Sequence, residues 1–266
     1  MNILVSDPIK KEIIKKLENH NVSKKLLIIS QSPNPSTRKY IKSIIKRCEE
    51  FNINYINKEF DKDENHIDIL NYINESKDVG GYIIAQPVRD NIDISYLREN
   101  IELEDLDCFS YDSLGKVMDK KEDNLPQTAR SVMKFIDYYN IDLVGKKVAI
   151  ANSTNVVGKP LSMILNKRKA TVTLLNSKTM DEINTIKNSD IFISAIGKAN
   201  YFDSRYFTDR QCIIDVGIDF KGGKIFGDIN LESIKDMDLD IITYRKGVGS
   251  ITTLSLLESF IDRNKK

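Results

Sequence analysis

The segment KKVAIANSTNVVGKPLSMILNK, residues 146–167, decides the fold. Its apolar run ends at Ala151, a polar turn covers residues 152–155, and Gly158 and Pro160 introduce an amphipathic stretch of helical period. This is strand, turn and helix, the order of a parallel crossover. A helix N-terminus after such a strand offers unpaired N–H groups and the positive end of a dipole, which a dinucleotide pyrophosphate or ribose needs. The G-x-G-x-x-G fingerprint is absent, so the segment alone fits a plain crossover as well as a nucleotide site.

Downstream the rhythm continues. Apolar runs at 171–175, 190–196, 212–216 and 240–244 join 147–151 as five buried strands of one doubly wound sheet. Three of them run into glycine, in AIG (195–197), DVGI (215–218) and KGVG (246–249). Glycine past the carboxyl end of a parallel strand lets backbone approach a ligand, and that edge is where such sheets bind. Upstream, KLLII (25–29) reads as a buried strand, and Pro35, Ser36 and Thr37 open a helix through Glu50. A strand at 54–60, a helix at 65–76, a strand at 82–85 and a helix at 95–100 complete β-α-β-α-β with right-handed crossovers. Between the halves lie the charged stretch DKKEDN (119–124), Pro126 and a helical pattern over 127–139, which places a domain boundary there. The fold class is α/β in two domains.

Composition narrows the function. Forty Lys and Arg against 39 Asp and Glu give a net charge of +1 with the signs interspersed, so neither nucleic acid nor anionic membrane is an expected partner. The N-terminal MNILVSDPIKKEIIKKL has only a short apolar run, and no later run approaches the roughly 20 residues of a membrane span, which points to the cytoplasm. Cys48, Cys108 and Cys212 stand far apart without a C-x-x-C pair and read as small buried hydrophobes. His20 and His66, the two histidines, sit in polar helical stretches, which argues against His-based triads and His-ligated metals.

Several segments together resemble the methylenetetrahydrofolate dehydrogenase/cyclohydrolase family. They are NPSTRKYIKSIIKRCEEFNI (34–53), GYIIAQPVRDNID (81–93), DLDCF (105–109), LPQTARSVMKFI (125–136), VAIANSTNVVGKP (148–160), ATVTLLNSKT (170–179), SDIFISAIGKANYF (189–202), IIDVGI (213–218), GDI (227–229) and KGVGSITT (246–253). The order and spacing follow the family over essentially the whole chain. The resemblance implies a folate-binding catalytic domain over 1–123, joined by a C-terminal helix at 253–266, and a Rossmann-like NAD(P) domain over 124–252. It implies hydride transfer from 5,10-methylenetetrahydrofolate to a nicotinamide cofactor, followed in bifunctional members by hydrolysis of the methenyl product, and a homodimer. Two other readings stay open: a relative without catalysis that keeps the fold and dinucleotide binding, and an oxidoreductase of similar architecture, as in shikimate dehydrogenases.

The family's cyclohydrolase lysine follows a tyrosine by four residues, on one helix face. With Cys48-Glu49-Glu50 fixing the register, Tyr40 matches the tyrosine that stacks on the folate and Ile44 stands where the lysine would be. Lys42 and Lys46 lie about 200° around the helix from Ile44, and Arg47 stays protonated and cannot act as a base. Asp107 matches the aspartate that accepts hydrogen bonds from the pterin, although the following Gly and His are replaced by Cys108 and Ser110. Pro87 sets the register of the next motif, which puts Ala85 at the glutamine that partners the lysine; Gln86 is one place off and would need a local bulge.

On the cofactor side, Ala151, Asn152 and Ser153 occupy the turn where relatives have V-I-G-R-S or V-I-G-A-S. Asn152 lacks the charged fork that an arginine offers a 2′-phosphate. Ser177, beside Lys178, is placed for a ribose or phosphate oxygen, or alternatively caps a turn. Ile218 matches the residue whose backbone meets the nicotinamide, with Gly247, Gly249 and Thr252 in the turn beside it; Thr243-Tyr244-Arg245 replaces the family's P-V-P. NADP is the expected cofactor, with NAD open.

Overall fold

The computed structural model describes residues 1–89 and 92–265. Asp90 and Asn91 of the segment 81–93, and Lys266 at the chain end, lie outside the described residues. In chain order the first elements are β1 (Asn2–Ile3), α1 (Asp7–Leu17), β2 (Lys25–Gln31), α2 (Pro35–Glu50), β3 (Tyr55–Phe60), α3 (His66–Glu75) and β4 (Val79–Ile84). Next come α4 (Ile94–Asn100), α5 (Tyr111–Met118), α6 (Gln127–Tyr138), β5 (Lys147–Ala151), α7 (Gly158–Lys167), β6 (Thr171–Leu175) and α8 (Glu182–Lys187). The chain closes with β7 (Ile191–Ser194), β8 (Cys212–Asp215), β9 (Asp219–Lys221), β10 (Lys224–Phe226), β11 (Asp240–Ile242) and α9 (Thr252–Asn264).

These elements form two compact units. The N-terminal unit holds residues 12–127 and 253–266, and the C-terminal unit holds 1–11 and 128–252.

In the N-terminal unit three parallel strands run in the order β3-β2-β4. The central strand β2 is buried on both faces, which is why its sequence is a continuous apolar run instead of an alternation. Leu27, Ile29, Phe60, Ile69, Tyr82 and Ile84 belong to the same core. Asn34 caps α2 by accepting the Thr37 N–H, Pro35 occupies the first turn, and the buried residues Thr37, Ile41, Ile44 and Cys48 recur at helical spacing.

The C-terminal sheet is all parallel, in the order β1-β11-β8-β7-β5-β6. It has six strands where the sequence suggested five. The addition is β1, which pairs with β11 through Asn2↔Asp240 and Ile3↔Ile241. By contacts residues 1–11 group with the C-terminal unit, whereas the sequence reading counts them with the N-terminal domain. Their attachment continues beyond the strand: the Ser6 N–H donates to the Lys246 carbonyl at 2.7 Å, and Lys246 pairs with Asp7. The first segment of the N-terminal unit runs to Gln127, four residues past the boundary read from the sequence.

From β5 the chain turns one way to β6 and then crosses back to β7 on the other side, so the strand order reverses at β5. The carboxyl edge at such a reversal is an open crevice between diverging loops. Beneath it, Phe192 and Phe202 meet edge to face at 4.9 Å within an apolar cluster that includes Ile213 and Ile241.

Among the described residues, no helix is long and apolar enough to cross a membrane, and no three His, Cys, Asp or Glu side chains converge to hold a metal ion. Cys48 and Cys108 are buried, whereas Cys212 is only half-buried, because β8 begins at the rim of the sheet.

Candidate active site

The N-terminal unit brings Tyr40 and Asp107 together. Tyr40 lies half-buried on α2, and its hydroxyl is pushed well above its ordinary range by burial and then by the negative charge of Asp107. Asp107 is also half-buried. Burial pushes its carboxyl up to about 7, and the charge of Asp105 adds to the rise, while the Gln127 N–H opposes it by donating to Oδ1 at 2.8 Å.

The turn that carries Asp107 survives the loss of its expected glycine. Cys108 takes the left-handed conformation at φ +57°, which costs a non-glycine residue roughly 1–2 kcal/mol. Asp105 holds that turn: its carboxylate accepts the Asp107 N–H at 3.0 Å, and the Ser110 N–H and hydroxyl at 2.8 and 2.9 Å. Ser110 in turn caps α5.

Ile44, one helical turn beyond Tyr40, is 0% exposed and part of the core. Lys42 and Lys46 are exposed. Ala85 is buried, and Gln86 is exposed with its carbonyl accepting the Thr37 hydroxyl. The pairing of β2 with β4 ends at Ile29↔Ile84, so Gln86 lies past the strand, and the one register shift in that pairing falls at its start, between Lys25 and Leu26 of β2. Gln31, which sequence reasoning did not single out, is buried and supports the following loop, donating to the carbonyls of Asp61 and Glu64 and accepting the Arg89 N–H.

In the C-terminal unit the turn after β5 is closed by its own side chain. Asn152 Oδ1 accepts the N–H groups of Thr154 and Gly158 and the Thr154 hydroxyl, and its Nδ2 donates to the Ala195 carbonyl at 2.7 Å. Asn152 is thus turned inward, and the first N–H of α7, expected to be unpaired, is already satisfied. Residue 158 must be glycine because a Cβ there would lie 1.9 Å from the Asn152 carbonyl oxygen. Ala151 is buried behind the turn, and Ser153 is exposed on it.

Ser177 is exposed past the end of β6. The turn there is built by Asn176 and Thr179, and among the described residues nothing bonds the Ser177 hydroxyl. Across the edge, a Cβ at Gly197 (φ +64°) would lie 3.6 Å from the Ile218 carbonyl, and one at Gly249 would lie 3.5 Å from Ile218 Cδ1. The carboxyl-edge loops after β7, β8 and β11 thus converge on Ile218, which is 43% exposed. Gly247 packs against the Thr243 carbonyl, and the Thr243 hydroxyl donates to the Arg245 carbonyl, stiffening a turn that prolines would otherwise constrain. Thr252 directs its hydroxyl back to the Val248 carbonyl.

Two further residues under this edge escaped the sequence reading, Asp215 and Asp228, both fully buried. A signal was present: each carboxylate sits inside an apolar run, in IIDVG and FGDIN, where it must find hydrogen-bond partners to remain buried.

The arrangement offers an exposed serine hydroxyl and an open backbone path to Ile218, suited to the phosphate or ribose and the ring of a dinucleotide. In the other unit it offers an aromatic face and a carboxylate, suited to a flat heterocycle with N–H donors. Comparison with known proteins identifies what the chain as a whole is similar to. Residues 4–107 match the model of the tetrahydrofolate dehydrogenase/cyclohydrolase catalytic domain, and residues 126–266 match that of its NAD(P)-binding domain. The chain is 35% identical over 255 residues to the bifunctional protein FolD of Clostridium botulinum, covering 94% of this chain and 90% of that one. Its structure resembles the bifunctional FolD methylenetetrahydrofolate dehydrogenase/cyclohydrolase of Campylobacter jejuni, with TM-score 0.92, 28% identity and coverage of 99% and 98%. The bifunctional enzyme of Thermoplasma acidophilum gives TM-score 0.90 at 28% identity, with the same coverage.

Proposed function

The chain belongs to the tetrahydrofolate dehydrogenase/cyclohydrolase family, and from that membership we propose that it is a methylenetetrahydrofolate dehydrogenase that has lost cyclohydrolase activity. The observation that carries the second half is Ile44, fully buried one helical turn from Tyr40, where the family's lysine is expected.

The nicotinamide ring, when bound, supplies the hydride acceptor. The chain's own residues do the rest by positioning, because the one-carbon unit between two nitrogens loses hydride to leave an amidinium stabilised by both. Tyr40 provides the face on which the folate ring stacks, and ionised Asp107 accepts from the pterin amino group and ring N–H. Ser177 holds a phosphate or ribose oxygen, Ser153 lies on the turn after β5, and the backbone around Ile218, Gly247 and Gly249 meets the nicotinamide end. Asn152, Thr252 and Ala151 shape these turns from within. Hydrolysis of the amidinium requires a group that manages protons at the attacking water, and neither Ile44 nor Ala85 can do so.

NADP is the preferred cofactor in this reading, on the strength of Ser177 and the neighbouring Lys178. The enzyme works in the cytoplasm as a homodimer. The test is an assay with 5,10-methylenetetrahydrofolate and each cofactor, following reduced nicotinamide and methenyl decay separately. Dehydrogenation without accelerated methenyl decay is expected. Absence of any dehydrogenation with either cofactor would overturn the reading in favour of a relative without catalysis.

A further inference from the structure

Asp215, at the end of β8, and Asp228 are both 0% exposed, and among the described residues neither has a cationic partner. Their bonds form a relay through backbone. Asp215 Oδ1 and Oδ2 accept the N–H groups of Asp228 and Ile229 at 3.0 and 3.2 Å. Asp228 Oδ2 accepts the Ser194 hydroxyl at 2.6 Å and the Ile196 N–H at 2.8 Å, and its Oδ1 accepts the Lys198 N–H at 2.7 Å. Two glycines make room for the pair: a Cβ at residue 217 would lie 2.0 Å from Asp228 Oδ2, and one at residue 227 would lie 2.0 Å from Asp215 Oδ2.

Burying an unpaired carboxylate is costly, and a well-packed apolar side chain in its place is often neutral or stabilising. Stability alone therefore gives no reason for two buried carboxyl groups here. What they fix is the turn at residues 194–198, three of whose groups bond the single carboxylate of Asp228. That turn carries Gly197, which abuts the Ile218 carbonyl.

We propose that Asp228 is a positioning residue for the dinucleotide, setting the turn at 194–198 and through Gly197 the backbone of Ile218 at the nicotinamide end, with Asp215 locking Asp228 in place. The proposal rests on the cofactor reading given above. Carboxylate is required because it accepts on both oxygens at once. An amide in its place directs N–H hydrogens at one of the N–H donors and forces the turn away.

The test uses the full-length Asp228→Asn variant and titrates NADP, methylenetetrahydrofolate and adenosine 2′,5′-bisphosphate, the adenosine half of the cofactor. The Kd and KM for NADP should rise by about tenfold or more, the scale of one hydrogen bond to a charged group. The KM for the folate and the Kd for adenosine 2′,5′-bisphosphate should stay within about twofold. A merely structural role would weaken all three together, and that result overturns the proposal. Should Asp228→Asn not fold, Ser194→Ala removes one donor from the same carboxylate and should raise the Kd for NADP by about threefold without affecting the adenosine half. An unchanged Kd for NADP in Ser194→Ala overturns the positioning role. Failure of the native protein to bind NADP or NAD at all instead overturns the cofactor reading, and the proposal falls with it.

Discussion

Asp107 accepts the backbone N–H of Gln127 at 2.8 Å, so a carboxylate assigned to substrate is anchored at the first turn of α6. The Gln127 side chain ties this junction further, donating to the Leu106 carbonyl and accepting from the Ser255 hydroxyl. Because burial raises the Asp107 carboxyl to about 7, this group changes charge within the working range. Only the ionised form accepts from two pterin donors. The KM for methylenetetrahydrofolate should therefore fall as pH rises from 6 to 8, and steady-state kinetics across that range would detect it. Asp107→Asn should raise the KM at pH 8 by about 1.5–3 kcal/mol in binding terms and abolish the pH dependence. A KM that does not change with pH in the native enzyme would remove Asp107 from substrate recognition.

Ser177 lends itself to a cofactor test because among the described residues nothing bonds its hydroxyl. Lys178 N–H bonds Asn176 Oδ1 and Asn176 N–H bonds the Thr179 hydroxyl, so the turn stands without it. Ser177→Ala should leave the unfolding temperature almost unchanged, within about 0.5 kcal/mol of stability. It should weaken NADP more than NAD, by at most the roughly 1.5–3 kcal/mol of a hydrogen bond to a charged group. Calorimetry with both cofactors decides this, and equal loss for the two would place the 2′-phosphate elsewhere.

The alternation of strand and helix was legible because β2, β5, β7, β8 and β11 are buried runs and α2 has clear signals at its start. The strand β1 was not, since two exposed residues leave no period to read, and its pairing with β11 is a contact across the whole chain. Tyr40, Ile44 and Asp107 are assigned by motif register, and the structure adds only that Tyr40 and Asp107 lie near one another and that Ile44 is buried. Asp105, Gln127 and Asp228 could not be assigned so, because their role is to bond backbone groups that only the fold brings near. Asn152 is a similar case. It lies in the turn after β5, and its side chain bonds that turn's own N–H groups, which no pattern in the sequence signals.

The buried carboxyls also set a direction for stability against pH. Burial raises Asp215 to about 8, with the charge of Asp228 adding to the rise against opposing backbone N–H groups. A folded-state value above the unfolded one means that the native state holds the extra proton between about pH 4 and 8. This contribution is therefore complete below pH 4 and is lost as pH rises through 8. Asp107 acts in the same sense up to about 7. Asp7 and Asp203 are shifted the other way by Lys246 and Arg205, but at exposed positions where the effect is small. Thermal unfolding of the protein without ligands should thus show a midpoint that declines from pH 5 to 8, and Asp215→Asn should flatten the decline. A midpoint that rises over this interval would contradict the assignment.

Ile44 gives the sharpest expectation. On the proposed register, which puts buried Ile44 at the lysine position and buried Ala85 at its partner's, methenyl hydrolysis in the presence of the protein should run near its uncatalysed rate. The missing acid–base help is worth about a hundred- to ten-thousandfold, which decay of methenyl absorbance resolves easily. Restoring the lysine alone should not restore the reaction. Its amine would enter a core position between Ile41 and Cys48, both buried, where desolvation drives a lysine pKa down by several units and the protein loses stability. The double variant Ile44→Lys with Ala85→Gln supplies a hydrogen-bond partner and should recover part of both losses. Native hydrolysis as fast as native dehydrogenation would show that another group manages the proton and that Ile44 does not mark a lost activity.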